Sequence, residues 1–367
     1  MKDSRVEFLW EDSSLARGFR TGVCLHGHTF HSKECLSFLP RHLYRVPGIS
    51  HLVRRHERRI DFGRAYWTPP LTPASAMQLE QSQIAGLGLR PLVSLTDHDD
   101  IEAGMSLEVV YDRTENPVSV EWTVPFANSI FHFGIHNLPR RSDRSWMAAL
   151  AGYTQASDAS KLAGLLYSLS ELPDSLIVLN HPFWLEEGVE PSAHGPALQQ
   201  LLSRFGQWIH AFELNGTRPW IENRDTISLA DQHSKPVISG GERHACEPAA
   251  CINLTSAVDF AEFVAEVRSG RSTVAFLPQY QEPMAARILE AVWDIVRPYP
   301  EYPGRQHWTD RIYYCDEHGS TRSLSLLWGS KIPWPLETAA GLVEVLANKR
   351  LRPALRLLLA ERGQSEL

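Results

Sequence analysis

Two histidines at the end of an apolar stretch are the first residues in this sequence that could bind a metal ion. The segment GVCLHGHTFHSKE (22–34) contains His26 and His28, and on an extended chain residues two apart point to the same side. Both imidazoles can therefore reach one ion, and Glu34 follows in the same loop. For this pair alone, a solvated loop with chance histidines is the alternative interpretation.

Four later segments also place an imidazole or a carboxylate where a strand-like stretch ends. They are TDHD (96–99), the stretch from VSVEW to IFHFGIH (118–136), NHP (180–182) and GGERH (240–244). Burying an unpaired carboxylate or imidazole is unfavourable, whereas one shared metal ion satisfies several of them at once. The repetition at successive strand ends therefore predicts a metal site that packing alone does not explain.

The stretches that carry these residues alternate with helix-like patterns. Apolar strand-like segments at 91–100, 175–184, 208–216 and 235–244 are separated by leucines at helical spacing, such as those within 162–169. Strands that alternate with helices and end in polar residues indicate a parallel barrel or a doubly wound sheet. In a parallel barrel the chemistry collects at the C-terminal ends of the strands, where these residues lie in the sequence.

Composition excludes several classes of protein. Of the 367 residues, 43% are hydrophobic and 22% are charged, which is typical of a folded chain. The formal net charge of −7 argues against a polycation that coats nucleic acid. Five cysteines without a CxxC spacing predict reduced thiols and a cytoplasmic location. The lack of a secretory leader pattern and of a long apolar run predicts no membrane association.

In their order along the chain, the motifs HxH, TDH, Glu-x10-His, NHP and Gly-Gly-Glu-x-His resemble the polymerase and histidinol phosphatase (PHP) superfamily, and most closely its stand-alone metal-dependent phosphoesterases. The resemblance covers about residues 20–280 and ends at GRSTVAF (270–276). It implies an α/β fold, namely a distorted (β/α)7 TIM-like barrel. It also implies hydrolysis of a phosphate ester by a metal-activated water at a dinuclear or trinuclear site.

The same resemblance suggests a division of the chain. Residues 1–280 are expected to form the PHP metal-dependent phosphoesterase domain, interrupted by an insertion at about 36–90 that is arginine-rich over 41–64. Residues 281–367 are expected to form a mainly helical C-terminal extension. The expected partner is a small phosphorylated substrate, with a nucleotide or an oligonucleotide among the options, because the arginine-rich segment could attract a polyanion.

The metal ligands implied by the resemblance fall into three sets. The first ion would be held by His26, His28, Glu121 and Glu242. Glu121 would bridge to a second ion that is held also by His132 and His181, and a third ion would be held by His98, His244 and Glu34, with His31 as the alternative to Glu34. Such mixed imidazole and carboxylate donors favour two or three divalent ions of Zn, Mn or Fe over Ca or Mg.

Three further residues are predicted to assist the reaction. Asp97 would orient the imidazole of a metal ligand, and Arg243, or else Arg218, would hold a phosphate in bidentate fashion. His136, or else His31, would protonate the leaving group.

The chain departs from the family pattern at three positions, where Cys24, Lys33 and Glu242 replace the usual residues. These departures keep open a second hypothesis, a PHP-like module that has lost catalysis and serves as a binding or regulatory scaffold. A third hypothesis is an amidohydrolase-type enzyme that cleaves C–N bonds at similar ions. The Glu-x10-His and GGERH motifs argue against this third hypothesis.

Overall fold

The computed structural model describes residues 3–36, 60–111, 116–329, 331–348 and 350–351. Most of the arginine-rich segment predicted at 41–64 therefore lies outside the described residues, as does the end of the C-terminal extension.

Fourteen strands are present in the described part of the chain, numbered here in sequence order. They are β1 (Asp3–Phe8), β2 (Thr21–Cys24), β3 (Glu34–Cys35), β4 (Ile60–Trp67), β5 (Arg90–Val93), β6 (Val120–Phe126), β7 (Ser129–His136), β8 (Leu176–Asn180), β9 (Ala211–Asn215), β10 (Val237–Gly240), β11 (Cys251–Thr255), β12 (Arg271–Phe276), β13 (Ile312–Asp316) and β14 (Thr321–Ser323).

Ten α-helices connect or follow these strands within the same described ranges. They are α1 (Pro73–Gly86), α2 (Glu102–Tyr111), α3 (Asp143–Gln155), α4 (Ala159–Ser170), α5 (Pro191–Phe205), α6 (Trp220–Gln232), α7 (Phe260–Arg268), α8 (Met284–Val296), α9 (Leu324–Trp328) and α10 (Trp334–Leu346). Several begin at the signals expected from sequence. Thr72 accepts a hydrogen bond from the Ser75 backbone N–H at 3.2 Å before Pro73 starts α1, and Asp158 caps α4 in the same way.

The strands form three sheets. The first has the order β1-β12-β11-β2-β5, the second β10-β9-β8-β7-β6, and the third β14-β13-β4-β3. The mixed α/β class predicted from the sequence is confirmed. The ladders of the described residues do not close into a barrel, because β5 and β6 share no ladder and neither do β2 and β10.

Two isolated bridges connect the first two sheets at one end. His98 lies in a parallel bridge with Glu121, and Gly27 lies in another with Arg243. The first bridge carries two backbone hydrogen bonds, from the Asp99 N–H to the Glu121 carbonyl at 2.9 Å and from the Glu121 N–H to the Asp97 carbonyl at 3.1 Å. The segments that follow β2, β5 and β10 are therefore held against each other, at the end of the sheets where the motifs lie.

Strand β6 shows how the core and the motif residues share one strand. Val120 and Trp122 are fully buried in the largest apolar cluster. Because side chains alternate along a strand, Glu121 points to the opposite face, and it is buried there as well. Burial of both faces leaves the carboxylate of Glu121 dependent on polar partners from other segments.

In its described part, the C-terminal region contains the helices α8, α9 and α10 together with the two short strands β13 and β14. Strand β13 pairs with β14 and also with β4, which belongs to the predicted insertion. The insertion and the C-terminal region therefore build the third sheet together. The arrangement matters for the site because β3, at the edge of this sheet, carries Glu34.

None of the described helices is both long enough and apolar enough to cross a lipid bilayer.

Candidate metal centre

Glu121 lies at the middle of a cluster of imidazoles. Five histidine side chains have a ring nitrogen within 3.6 Å of its carboxylate oxygens: His26 at 2.9 Å, His28 at 3.4 Å, His98 at 3.3 Å, His132 at 3.6 Å and His181 at 3.1 Å. They come from the ends of β2, β5 and β8 and from the middle of β7. The tertiary fold thus gathers segments that are more than 150 residues apart in the sequence into one buried site.

Glu34 forms a second, neighbouring centre. Its carboxylate lies 3.2 Å from Nε2 of His244, 3.5 Å from Nε2 of His98 and 3.9 Å from Nδ1 of His28. Ser32 donates a hydrogen bond to the same carboxylate at 2.6 Å. His28 and His98 therefore face both glutamates, which makes the two centres one connected cluster.

The charges around Glu121 are strongly coupled. Burial would raise the pKa of the Glu121 carboxyl, but His26 and His98 outweigh it and hold that pKa well below its usual range. Burial would also lower the pKa of His26, yet the Glu121 and Glu213 carboxylates raise it well above its usual value. Burial lowers the pKa of His132 to about 3, so this imidazole is neutral, the form that binds a metal.

Glu34 behaves in the same way at its own centre. Burial would raise its pKa, but His244 and His98 hold the pKa well below the ordinary value for a glutamate. Burial opposes the charged form of His98, whereas Glu121 and Glu34 together raise its pKa to about 10. His28 is the exception, because burial and the neighbouring His244 hold its pKa well below the usual range.

The backbone at the cluster is strained. Four residues there have a positive φ, namely His26 at 62°, Asp99 at 50°, His181 at 26° and Glu242 at 43°. Side chains with a Cβ rarely adopt this region, and each such residue costs about 1–3 kcal/mol. Strain of this kind persists only where the surrounding structure fixes it, and it concentrates at functional sites. The positive φ angles orient these side chains in directions that the backbone of a regular strand does not allow.

Glu213 is a site residue that the sequence analysis did not identify. It lies on β9, and its Oε2 is 2.7 Å from Nδ1 of His26, on the side of the ring away from Glu121. Asn215 donates to its other oxygen at 2.6 Å. A Cβ at Gly240 would overlap the Glu213 carboxylate, so only glycine fits there. The signal was present, since FELN (212–215) is one more apolar strand that ends in polar residues.

Asn180 is the second residue without a predicted role. Its amide donates to Oε1 of Glu121 at 3.0 Å, and its Oδ1 accepts from the Gly134 backbone N–H at 3.2 Å. A side chain at position 134 would press on both Asn180 and His136, so Gly134 leaves the space for this contact. The NHP motif thus supplies His181 as a candidate ligand and Asn180 as the residue that fixes Glu121.

Glu242 belongs to none of the groups of described residues whose possible metal-ligand atoms lie within 4.8 Å of one another. Its two carboxylate oxygens accept hydrogen bonds from Thr217 Oγ1 at 2.8 Å and from a terminal guanidinium nitrogen of Arg218 at 2.9 Å. Each oxygen thus accepts one hydrogen bond, and the role of Glu242 as a ligand of the first ion, which the resemblance implies, stays a prediction.

Arg243 is buried, and its guanidinium is not positioned to bind a phosphate. Its buried guanidinium donates to Glu80 at 2.8 Å, to the His28 carbonyl at 3.0 Å and to the Ala245 carbonyl at 3.1 Å. These contacts fix the backbone that follows His26 and His28, so they differ from the phosphate contact predicted from the sequence.

Asp97 and His136 also differ from their predicted roles. Asp97 accepts hydrogen bonds from the backbone N–H of Thr29 at 2.5 Å and from its hydroxyl at 2.7 Å, so it holds the loop after the HxH motif and not an imidazole. Burial raises the pKa of Asp97 to about 7, against these hydrogen bonds. His136 is buried with Nδ1 2.8 Å from Ser94 Oγ, and it does not belong to the residues that line the pocket beside the cluster.

Cys24, the first departure from the family pattern, is a core residue. It is 2% exposed and packs in the apolar cluster with Leu95 and Ile252. Burial and the nearby Glu80 raise the pKa of its thiol well above the usual value, so it stays a neutral thiol. Cys24 therefore belongs to the apolar core.

The cluster opens into a pocket of about 850 Å³. His98, His132, His181 and His244 lie in its wall with both Glu34 and Glu242. Other lining residues are Lys33, Trp67, Trp184 and Arg218, together with the acidic side chains Asp99, Asp100, Glu186 and Glu187. Lys33 is exposed, and its ammonium lies 5.7 Å from the ring of Tyr66.

The donor set fits divalent transition metals. Three groups each bring their ligand atoms within 4.8 Å of one another: His28 with Glu34, His98 and His244; His26 with His28 and Glu121; and His98 with Glu121 and His132. Nε2 of His26 and Nε2 of His28 lie only 3.1 Å apart, an arrangement that a shared cation between them would stabilise. Mixed imidazole and carboxylate donors are typical of Zn, Mn and Fe sites.

Comparison with known proteins gives structural neighbours only. No protein-family model matches the chain, and no curated protein matches its sequence. PsfC from Pseudomonas syringae PB-5123 is 13% identical with a TM-score of 0.40, over 71% of this chain and 93% of PsfC. Similarities at this level of identity and TM-score do not identify an activity.

Two further neighbours are similarly distant. A candidate metal-dependent phosphoesterase from Bifidobacterium adolescentis ATCC 15703 is 12% identical with a TM-score of 0.35, over 67% of this chain and 96% of that one. An amidohydrolase from Chromobacterium violaceum, solved with sulfate and no metal, is 12% identical with a TM-score of 0.37, over 60% of this chain and 87% of that one.

Proposed function

We propose that this chain is a metal-dependent hydrolase that cleaves a phosphate ester. The observation that carries the proposal is the buried Glu121 carboxylate with five imidazoles around it, next to the second carboxylate of Glu34. His98, His132, His181, His244 and Glu34 from this cluster also line the 850 Å³ pocket, and such a concentration of ligand atoms suits a site with more than one ion.

The proposed ligands follow the three donor groups. Glu121 would serve two ions, one with His26 and His28 and one with His98 and His132, and His181 lies within reach of the same carboxylate. Glu34 would serve a further ion with His98 and His244. His28 and His98 each lie in two groups, so the fit supports two or three ions that share ligands.

Phosphate ester hydrolysis matches what this site offers. With divalent ions bound, the site would offer a water of lowered pKa as the nucleophile and positive charge beside the phosphoryl group. Glu213 and Asn180 hold His26 and Glu121 in position for that task. His31 lines the pocket and is half-buried, and its imidazole would protonate the leaving oxygen.

The two isolated bridges concern whether the strands around the site form a closed barrel. One joins the segment after β5 to β6, and the other joins the segments after β2 and β10. With these links, strands β2, β5, β6, β7, β8, β9 and β10 would follow one another in a ring. We propose that this ring is a seven-stranded, distorted barrel of the kind expected for residues 1–280, closed at the site end only by single bridges.

The test combines metal analysis with hydrolysis assays. Protein loaded with Zn, Mn or Fe should hydrolyse p-nitrophenyl phosphate or its bis ester, and His26→Ala should abolish turnover. His318→Ala is the matched control, because His318 is 78% exposed and outside the cluster. Both variants should keep the melting transition of a folded protein.

Three outcomes contradict the proposal. Full metal occupancy with no turnover of either ester would favour a binding or regulatory module. Turnover of an amide or amidine substrate instead would favour C–N hydrolysis. Folded protein that retains no metal after loading would refute the metal centre itself.

A further inference from the structure

Arg218 is a cation in the pocket wall for which the metal cluster provides no role. It lies in the loop between β9 and α6, and it donates to Oε1 of Glu242 at 2.9 Å. Its guanidinium carbon lies 3.6 Å from the ring centroid of Trp184, which is the close stacking of a cation on an aromatic face. Stacking leaves the edge of the guanidinium, with its N–H donors, directed away from the ring.

The position of Arg218 is fixed from several sides. Tyr280, from the region after β12, donates its hydroxyl proton to the Arg218 carbonyl at 2.8 Å, and Asn223 donates to that hydroxyl at 2.8 Å. Trp184 is held in turn, since its indole N–H donates to Glu186 at 2.8 Å. The arginine is therefore preorganised, which reduces the entropy lost when it binds a ligand.

The guanidinium is incompletely satisfied. Its Nε is buried and has no hydrogen-bond partner, although the residue lines the pocket beside Glu242, His181 and His244. A buried N–H without an acceptor is unfavourable and points to a missing partner. The other arginine predicted for phosphate, Arg243, has protein acceptors for its guanidinium, so it differs from Arg218 in this respect.

We infer that Arg218 binds the phosphoryl oxygens of the substrate, with Trp184 and Glu242 as the residues that position its guanidinium. This inference rests on the proposed phosphoesterase function. Arginine suits the role because its planar donors match the oxygens of a phosphate. Its neighbours in the wall, His181 and His244, belong to the metal cluster, so a phosphoryl group held there would adjoin the ions.

The experiment measures binding of inorganic phosphate to metal-loaded protein by calorimetry, with metal content determined on the same samples. Arg218→Met should keep the wild-type metal content and bind phosphate about 10- to 100-fold more weakly. Its KM for a phosphate ester should rise by a similar factor.

Arg218→Lys should recover part of the affinity, since it restores the charge without the planar fork. Arg224→Met, at an exposed position of α6, is the matched control and should equal the wild type.

The outcomes separate this inference from the proposed function. If the wild type hydrolyses phosphate esters and Arg218→Met binds phosphate equally well, the role of Arg218 is refuted while the function stands. If metal content and phosphate affinity fall together in Arg218→Met and in Arg218→Lys, Arg218 only supports the metal centre, and the inference is wrong. A metal-loaded wild type that neither binds phosphate nor hydrolyses any ester overturns both.

Discussion

Glu121 and Glu34 both contact imidazoles, but the strands that carry them differ greatly in how extensively they pair with neighbouring strands. Glu121 belongs to β6, which pairs with β7 at all seven of its residues. Glu34 belongs to β3, which pairs with β4 at two residues at the edge of the third sheet. The side chain of Glu121 is 1% exposed, whereas that of Glu34 is 11% exposed.

The difference in strand pairing predicts which part of the cluster keeps its geometry without a ligand. A buried site on a long ladder holds its geometry without a ligand, because moving it would disrupt the core. A site on a short edge strand depends on neighbouring segments, and solvent screens its charges more strongly. We therefore expect the Glu121 centre to bind metal tightly and the Glu34 centre to exchange metal more readily.

The largest effect is expected from Glu121→Gln. The change keeps the size of the side chain but removes the charge that faces five imidazoles, so metal affinity should fall by more than about 100-fold. Metal content after dialysis, measured by mass spectrometry, checks this. Retention of the wild-type metal content would show that Glu121 does not bridge ions.

A smaller loss, confined to the Glu121 centre, is expected from Glu213→Gln. Glu213 contacts Nδ1 of His26, and removing a carboxylate that orients a metal-binding imidazole weakens affinity by about 10- to 100-fold. Chelator competition should show one weakened class of ion and one unchanged class. Equal weakening of both classes would contradict the separation of the two centres.

Glu34→Gln should have a smaller effect again on total metal. It removes the charge shared by His98 and His244 and should release the more exchangeable ion while the Glu121 centre stays occupied. The stoichiometry should drop by about one ion per chain. A loss as large as that of Glu121→Gln would erase the proposed difference between the centres.

The smallest expected effect is on the loss of folding stability at low pH. It involves His210, a residue remote from both glutamates. Burial lowers the pKa of His210 to about 3, and its Nδ1 accepts from the Ile177 backbone N–H at 2.9 Å. Between the unfolded value near 6.5 and the folded value, the unfolded chain binds more protons, so this contribution to stability is lost as pH falls.

His210→Gln should therefore reduce the drop in stability between pH 7 and pH 5 by on the order of 1 kcal/mol in metal-free protein. Denaturant titrations at the two pH values measure it. An unchanged drop would assign the acid sensitivity to the glutamate centres instead.

Much of the candidate site was predictable because its residues end apolar strands. His26, His28, His98 and His181 were identified in this way, and the structure brings them to one carboxylate. Glu213 carries the same signal but lacks a histidine beside it. Their roles as metal ligands remain predictions.

The roles of isolated polar residues were harder to predict. Arg243 and Arg218 are alike in sequence context, since each follows a strand end, yet one contacts Glu80 in the core and the other lies in the pocket wall. Asp97 and His136 were placed near the chemistry by proximity in sequence, whereas their side chains contact Thr29 and Ser94.

The α/β pattern, the types of donor atom and their positions at the ends of strands follow from local periodicity and chemical identity, so they can be read from the amino-acid order. Which imidazole faces which carboxylate, and which arginine reaches the pocket, depends on the tertiary fold. Left-handed turns at His26, His181 and Glu242 set the side-chain directions, and contacts between distant segments hold such turns in place.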